Sequence, residues 1–178
     1  MKHHNKILKM VLAALFLALA YLMPFLTGQI PEIGSMLCPM HLPVLICGFV
    51  CGPVWGAAIG FIAPLFRSLL TGGFPPLFPT ALCMAFELAA YGAIAGLMHK
   101  IFPRNKLFIY CSLLVAMIAG RIVWGAAMFI CLGINGFTFA SFLAGAFTNA
   151  IPGIILQIVL VPAIVMLLDN PKILKLRD

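Results

Sequence analysis

Apolar runs of roughly 18 residues or more recur from one end of this chain to the other, and nearly all of its charged residues fall between them. A helix rises about 1.5 Å per residue, so runs of that length match the ~30 Å hydrocarbon core of a bilayer. Lipid offers no partner to a backbone N–H or C=O, so a segment that crosses it must be a helix or part of a closed barrel. These runs are continuous rather than alternating, which excludes barrel strands. With 64% hydrophobic and 8% charged residues, the chain also has too little polar surface for a soluble domain of 178 residues. An all-α membrane protein is expected, with residues 1–178 forming a single transmembrane domain.

Breaks in the apolar pattern divide the chain into six expected transmembrane helices. Span 1 is expected over Met10–Leu26 and is read as a retained span, because polar Thr27-Gly28-Gln29 follows it in place of a small-residue cleavage site. A loop, Thr27–Met40, precedes a short span 2, His41–Val50. Gly52-Pro53 breaks the helix, and span 3 continues over Val54–Leu70. Three prolines within Thr71–Pro79 predict a non-helical connection. Span 4 is expected over Thr80–Met98, then a basic connection His99–Lys106, then span 5 over Leu107–Leu132. Gly133–Gly136 reads as a turn. Span 6 is expected over Ser141–Leu168, kinked at Pro152 and Pro162.

Nine of the eleven Lys and Arg residues lie in three polar segments: Lys2, Lys6 and Lys9; Lys100, Arg104 and Lys106; and Lys172, Lys175 and Arg177. Six spans put all three segments on one side, and the connections on the other side carry no Lys or Arg. Basic segments stay cytoplasmic, so both termini are expected in the cytoplasm of a multi-pass cell-membrane protein. The net charge of +7 therefore records orientation in the membrane, and nucleic acid is excluded as the partner.

Small residues recur at helical spacing. Gly48, Gly52, Gly56 and Gly60 form a four-residue row, as do Gly92 and Gly96, and Ala14 and Ala18. In lipid such rows let backbones approach closely and gain dispersion contacts.

Ionisable groups at membrane depth cost several kcal/mol unless paired or hydrated, so they mark functional positions. Three stand here: Arg67 near the outer end of span 3, Glu87 two turns into span 4, and Arg121 near the middle of span 5. Two cations against one carboxylate leave one positive charge over, which favours a ligand bearing a carboxylate. The plainer account pairs Glu87 with one Arg for structure and lets Arg67 reach the outer interface. Tyr91, Trp124, Asn135, Asn149 and Gln157 are expected in the same outer half, with His41 and the Pro75-Pro76 segment. Amides orient a polar ligand and aromatic rings cover its apolar parts, so these residues together describe a binding pocket.

Other chemistry is missing from the sequence. It has no GxxxxGK[ST], HExxH or GxSxG motif. Four acidic residues, Glu32, Glu87, Asp169 and Asp178, do not build a metal centre. The six cysteines form no CxxC pair, and no disulfide framework, metal or cofactor is expected. The chain is not read as an enzyme.

Basic cytoplasmic segments, the broken span 2/span 3 pair, the Ala14/Ala18 row and the Pro-rich outer connection together resemble the S component of an energy-coupling factor (ECF) vitamin transporter. The resemblance covers essentially the whole chain. Its most specific stretch is Leu37–Tyr91, LCPMHLPVLICGFVCGPVWGAAIGFIAPLFRSLLTGGFPPLFPTALCMAFELAAY, which is most similar to the pantothenate subgroup. The resemblance implies a bacterial membrane subunit that binds a vitamin-like small molecule from outside. It also implies that a transmembrane T component and two cytoplasmic ATPases supply the energy, which fits a chain without a P-loop. Ala14 and Ala18 match the family's docking row, and Arg67 or Arg121 would meet the substrate carboxylate. Another vitamin (riboflavin, pyridoxine, a thiamin precursor or a queuosine precursor) stays open, as does a stand-alone facilitator or channel.

Overall fold

The computed structural model describes residues 2–27, 30, 36–103 and 105–168, with the side chains of 2–5, 26, 27, 134 and 135 outside that description. Lys172, Lys175, Arg177, Arg104 and Glu32 are thus outside the described residues. Helices account for almost everything described, and no strand occurs among the described residues. The helices are α1 (Lys2–Leu22), α2 (His41–Cys51), α3 (Pro53–Leu70), α4 (Leu82–Ile101), α5 (Lys106–Gly136), the short α6 (Phe139–Leu143) and α7 (Ile151–Leu168). Among the described residues five stretches are long and apolar enough to cross a membrane: Lys6–Phe25, Pro53–Leu70, Leu77–Ile101, Lys106–Gly133 and Ile151–Leu168. Two apolar helices are shorter, His41–Cys51 and Phe139–Thr148. Large apolar side chains such as Val54, Leu69, Ile130 and Val159 point outward. On a water-soluble protein such a surface would aggregate; in a bilayer it faces acyl chains.

The chain departs from the expected spans at several places. Helix α1 begins at Lys2 rather than Met10 and ends at Leu22, and α5 runs through the expected Gly133–Gly136 turn to Gly136, with a kink at Gly133 (φ 69°, ψ −177°). The Pro-rich connection ends in one wide π-type turn, Leu77–Ala81, that leads into α4, with Phe78 extended (φ −120°, ψ 134°). The basic connection is shorter than expected, because α4 continues through His99 and Lys100 to Ile101. His99 is buried, with its ring edge-on to Phe49 (centroids 5.1 Å). Span 6 is not one kinked helix. It divides into α6, a π-type turn Ala144–Thr148 and α7, with the break at Asn149-Ala150 just before Pro152; Pro162 sits inside α7.

The glycine row explains the packing of the central three helices. A Cβ on Gly92 would stand 2.3 Å from the carbonyl carbon and oxygen of Gly56; one on Gly48 would stand 2.4 Å from the Gly92 oxygen; one on Gly60 would stand 2.3 Å from the Leu88 oxygen. A Cβ on Gly96 would meet Gly48 O and Pro53 N at 2.6 Å. Thus α2 and α3 lie backbone-to-backbone on α4, closer than any side chain permits. Gly52 differs from its neighbours in the row. Nothing lies within 4 Å of its missing Cβ, but its backbone (φ 99°, ψ 175°) is one that only glycine adopts freely, and it reverses the chain between α2 and α3.

Contacts distinguish the two ends of the bundle. Gly96 touches Gly52 and Pro53, and Phe49 meets His99, so the α2–α3 reversal lies beside the connection carrying Lys100 and Lys106. At the other end Tyr21, at the close of α1, packs edge-on to Phe66 late in α3 (6.1 Å). Residues 36–37 lie against Gly153 near the start of α7, also at this second end. The start of α1, with Lys6 and Lys9, therefore lies at the basic end.

The two glycine roles are separable. At position 92 the penalty should grow with side-chain size: Gly92→Ala loses about 1–3 kcal/mol by overpacking, and Gly92→Leu prevents assembly. At position 52 the penalty is backbone strain, about 1–3 kcal/mol, and should be nearly equal for Ala and Leu. Unfolding midpoints in detergent, followed by circular dichroism, check this contrast.

Candidate functional site

At the end opposite the basic connection, the helices diverge around a cavity of about 330 Å³. It is walled by Arg67 from α3, Phe74, Pro75 and Pro76 from the α3–α4 connection, Met84 and Glu87 from α4, and Arg121 and Trp124 from α5. Cys38–His41, Pro24, Ile30, Thr80, Gly145 and Asn149 complete the lining. The volume falls at the small end of the range for small-molecule sites, about 300–1,000 Å³.

Its floor is ionic. Arg121 Nη1 lies 3.0 Å from Glu87 Oε1, and His41 Nε2 lies 3.4 Å from the same oxygen. All three residues are at most 6% exposed, so water does not screen this cluster. Arg121 Nη2 is 3.8 Å from the Cys38 sulfur, which the backbone presents from a left-handed conformation (φ 46°). Neither His41 nitrogen has an aligned hydrogen bond, nor does Arg121 Nε. The cluster is held by charge and packing, and its remaining donors are uncommitted.

Glycines on α5 and near α6 make room for the rings that hold these groups. The Tyr91 ring lies against Gly120, with the Gly120 Cβ position 2.5 Å from the ring, and stands edge-on to His41 at 5.0 Å. Tyr91 thereby fixes the imidazole over Glu87. The Trp124 ring occupies the space left by Gly145 and joins Phe137 and Phe142 at 5.7 and 6.4 Å.

Arg67 is held differently. It lies in the last turn of α3, where Thr71 N–H bonds to its carbonyl (2.9 Å) and Gly73 N–H to Ser68 O (2.8 Å). Gly72 and Gly73 both take positive φ (71° and 96°), closing the helix in the manner of an αL cap. The single Thr71 hydroxyl proton is within reach of the carbonyls of both Arg67 and Phe74, and the Phe74 ring stands 5.9 Å from the guanidinium. Arg67 is 4% exposed and lines the cavity. Among the described residues no carboxylate lies within ion-pair distance of it.

The structure thus brings Arg67, Glu87, Arg121, Trp124 and Asn149 to one cavity. Tyr91 and Gln157 do not line it. Tyr91 lies behind His41, and Gln157 is fully buried in α7 with neither amide atom hydrogen-bonded. The Asn135 side chain lies outside the described residues. Cys38, Met40, Thr80, Met84 and Gly145 line the cavity without having been singled out from sequence, since small or apolar residues carry no signal of their own in an apolar chain. Ala14 and Ala18 are exposed on α1, on the face opposite buried Ala13, Phe16 and Ala20.

A family model described as ECF transporter, substrate-specific component, matches residues 8–165. No curated protein and no solved structure matches the chain.

The ionic floor makes a prediction that needs no ligand. Arg121→Met leaves Glu87 buried without its strongest partner and should lower stability by about 3–5 kcal/mol, whereas Glu87→Met with Arg121→Met recovers most of that loss. A double-mutant cycle of unfolding free energies in detergent measures the coupling.

Proposed function

The chain belongs to the family of substrate-specific components of ECF transporters, and from that premise we propose that it captures a small carboxylate-bearing vitamin, pantothenate, from outside the cell and passes it inward. The family is one of transporter subunits that bind small substrates and work with a T component and ATPases; it is not an enzyme family. Such a chain needs no nucleotide site of its own, in keeping with a sequence that has no P-loop.

The observation that carries the substrate reading is the charge of the cavity. Two guanidiniums and one carboxylate line a compact, largely apolar space. Burying the extra cation is costly in the empty protein and is offset when an anion enters. The aromatic lining also bears on size and shape. Of the fifteen Phe residues, Phe74 alone lines the cavity, with Trp124 the other large ring; the Phe137–Phe142 cluster packs behind Trp124. That supports a compact polar ligand over a flavin, which would call for rings on both faces. Pantothenate has the required parts: one carboxylate, a central amide, and hydroxyls next to a branched apolar group. In this reading Asn149, which lines the cavity, hydrogen-bonds the polar middle, and Met84 and Trp124 cover the apolar end.

Orientation follows from the ends of the bundle. With the basic end cytoplasmic, the cavity opens to the outer side; in this reading the short α2 adds a sixth crossing to the five described stretches long enough to span a membrane. The exposed α1 face carrying Ala14 and Ala18 is flanked by Val11, Leu15 and Leu22. In this reading it is the docking row for the T component, because small residues allow close approach between helices.

Calorimetric titration of the purified protein in detergent should give one-to-one binding of pantothenate. Absence of heat with folded protein removes pantothenate, and a panel of other vitamins then identifies the ligand. Ala14→Trp and Ala18→Trp should leave that binding unchanged while cutting ATP-driven uptake by the reconstituted full complex at least about tenfold. Uptake at a steady rate by the lone protein in liposomes would overturn the proposal in favour of a facilitator.

A further inference from the structure

The two arginines of the cavity are not equivalent, and the difference assigns their work. Arg121 is already neutralised. Its Nη1 lies 3.0 Å from Glu87, whose same oxygen is 3.4 Å from His41, and its Nη2 turns to the Cys38 sulfur. A ligand carboxylate that approached Arg121 would meet the Glu87 carboxylate beside it, and like charges at that distance repel. Among the described residues Arg67 has no such neighbour. It is as little exposed as Arg121, its Nε has no hydrogen-bond partner, and among the described residues no carboxylate pairs with it. Beside it stand the Phe74 ring, 5.9 Å from the guanidinium, which attracts a cation weakly, and the phenol of Tyr21.

We propose that Arg67 is the residue that binds the carboxylate of the substrate, and that Arg121 is a positioning residue locked by Glu87 and His41. This rests on the substrate-capture reading above and deepens it. The guanidinium presents a planar fork that accepts a carboxylate through two parallel hydrogen bonds. The αL cap closes the helix beside the fork, and the Thr71 hydroxyl lies within reach of the carbonyls of Arg67 and Phe74. The ligand's charge is therefore read at the α3–α4 end of the cavity, and its polar middle extends toward Asn149 and Trp124. The site selects against the uncharged analogue because it leaves Arg67 buried and unpaired.

Two measurements on Arg67→Gln test this. The first is calorimetry with pantothenate and with pantothenol, in which an alcohol replaces the carboxylate. The wild-type protein should prefer pantothenate on the order of 100-fold. R67Q should collapse that preference to within about threefold, with the affinity for pantothenol little changed, and Arg67→Lys should retain part of it. A preference that survives R67Q overturns the proposal. The second is the unfolding temperature without ligand. R67Q removes a buried cation that no described carboxylate pairs, so it should unfold at the same temperature or higher. A fall like that of Arg121→Met would make Arg67 structural and overturn the proposal.

The two readings fail separately. If the wild-type protein binds a different vitamin carboxylate, the pantothenate assignment falls, and the R67Q comparison is run on that ligand and its amide. Binding only of uncharged vitamins overturns the role of Arg67 and leaves substrate capture standing. Folded protein that binds nothing in either set overturns both.

Discussion

The contact between the backbones of Gly56 and Gly92 governs the rest of the structure. With Gly48, Gly60 and Gly96 it allows α2 and α3 to rest on α4 without intervening side chains. Helices that touch through backbone are fixed in depth and rotation, because a slip of one residue would drive a Cβ into a carbonyl. That register places Glu87, one turn from Gly92, beside His41 at the start of α2. It also sets Tyr91 against Gly120 of α5, which brings Arg121 within 3.0 Å of Glu87. The ionic floor of the cavity follows from packing several ångströms below it.

The cavity exists because that close packing ends. Above Glu87 and Leu88 the chain no longer offers glycines to α3, and prolines and loops replace helix. Pro75, Pro76 and the extended Phe78 carry the α3–α4 connection around the opening, and the turn at Asn149-Ala150 ends the α6 segment before α7 begins. Irregular backbone at membrane depth is tolerated where it lines a cavity, since the freed polar groups then meet ligand or water instead of lipid. The same region holds the deep charges. One bundle thus has an end packed backbone-to-backbone through glycines and an open end that holds the described ion pairs.

Much of this was legible in the residues themselves. The Gly52-Pro53 break, the Pro-rich connection and the start of α5 lie where local chemistry demands, because glycine conformation and the missing proline N–H act within a few residues. Arg67, Glu87 and Arg121 stood out because charge in an apolar run is expensive wherever the run folds. Other positions were not legible for the same kind of reason. Asn149, Gln157 and Tyr91 look alike in sequence: polar or half-polar groups in apolar runs. Only Asn149 lines the cavity, Tyr91 supports it from behind, and Gln157 is buried apart from it. Span 6 read as one helix since Pro152 permits either a kink or an N-terminal turn, and the packing of Gly153 on residues 36–37 selects the latter.

By itself the sequence determined that this chain is a bundle of membrane helices, where most of the breaks between them fall, and that its apolar runs carry more cations than carboxylates. These are local properties: hydropathy over a helix length, backbone freedom at single residues, and the count of ionisable groups. Which arginine is neutralised was decided only by tertiary structure. Arg67 and Arg121 each stand in an apolar run far in sequence from Glu87, and no pattern along the chain says which lies within reach of it. Backbone packing between α3, α4 and α5 resolves the question, because it is that packing which turns Arg121 onto Glu87 and leaves Arg67 lining the cavity.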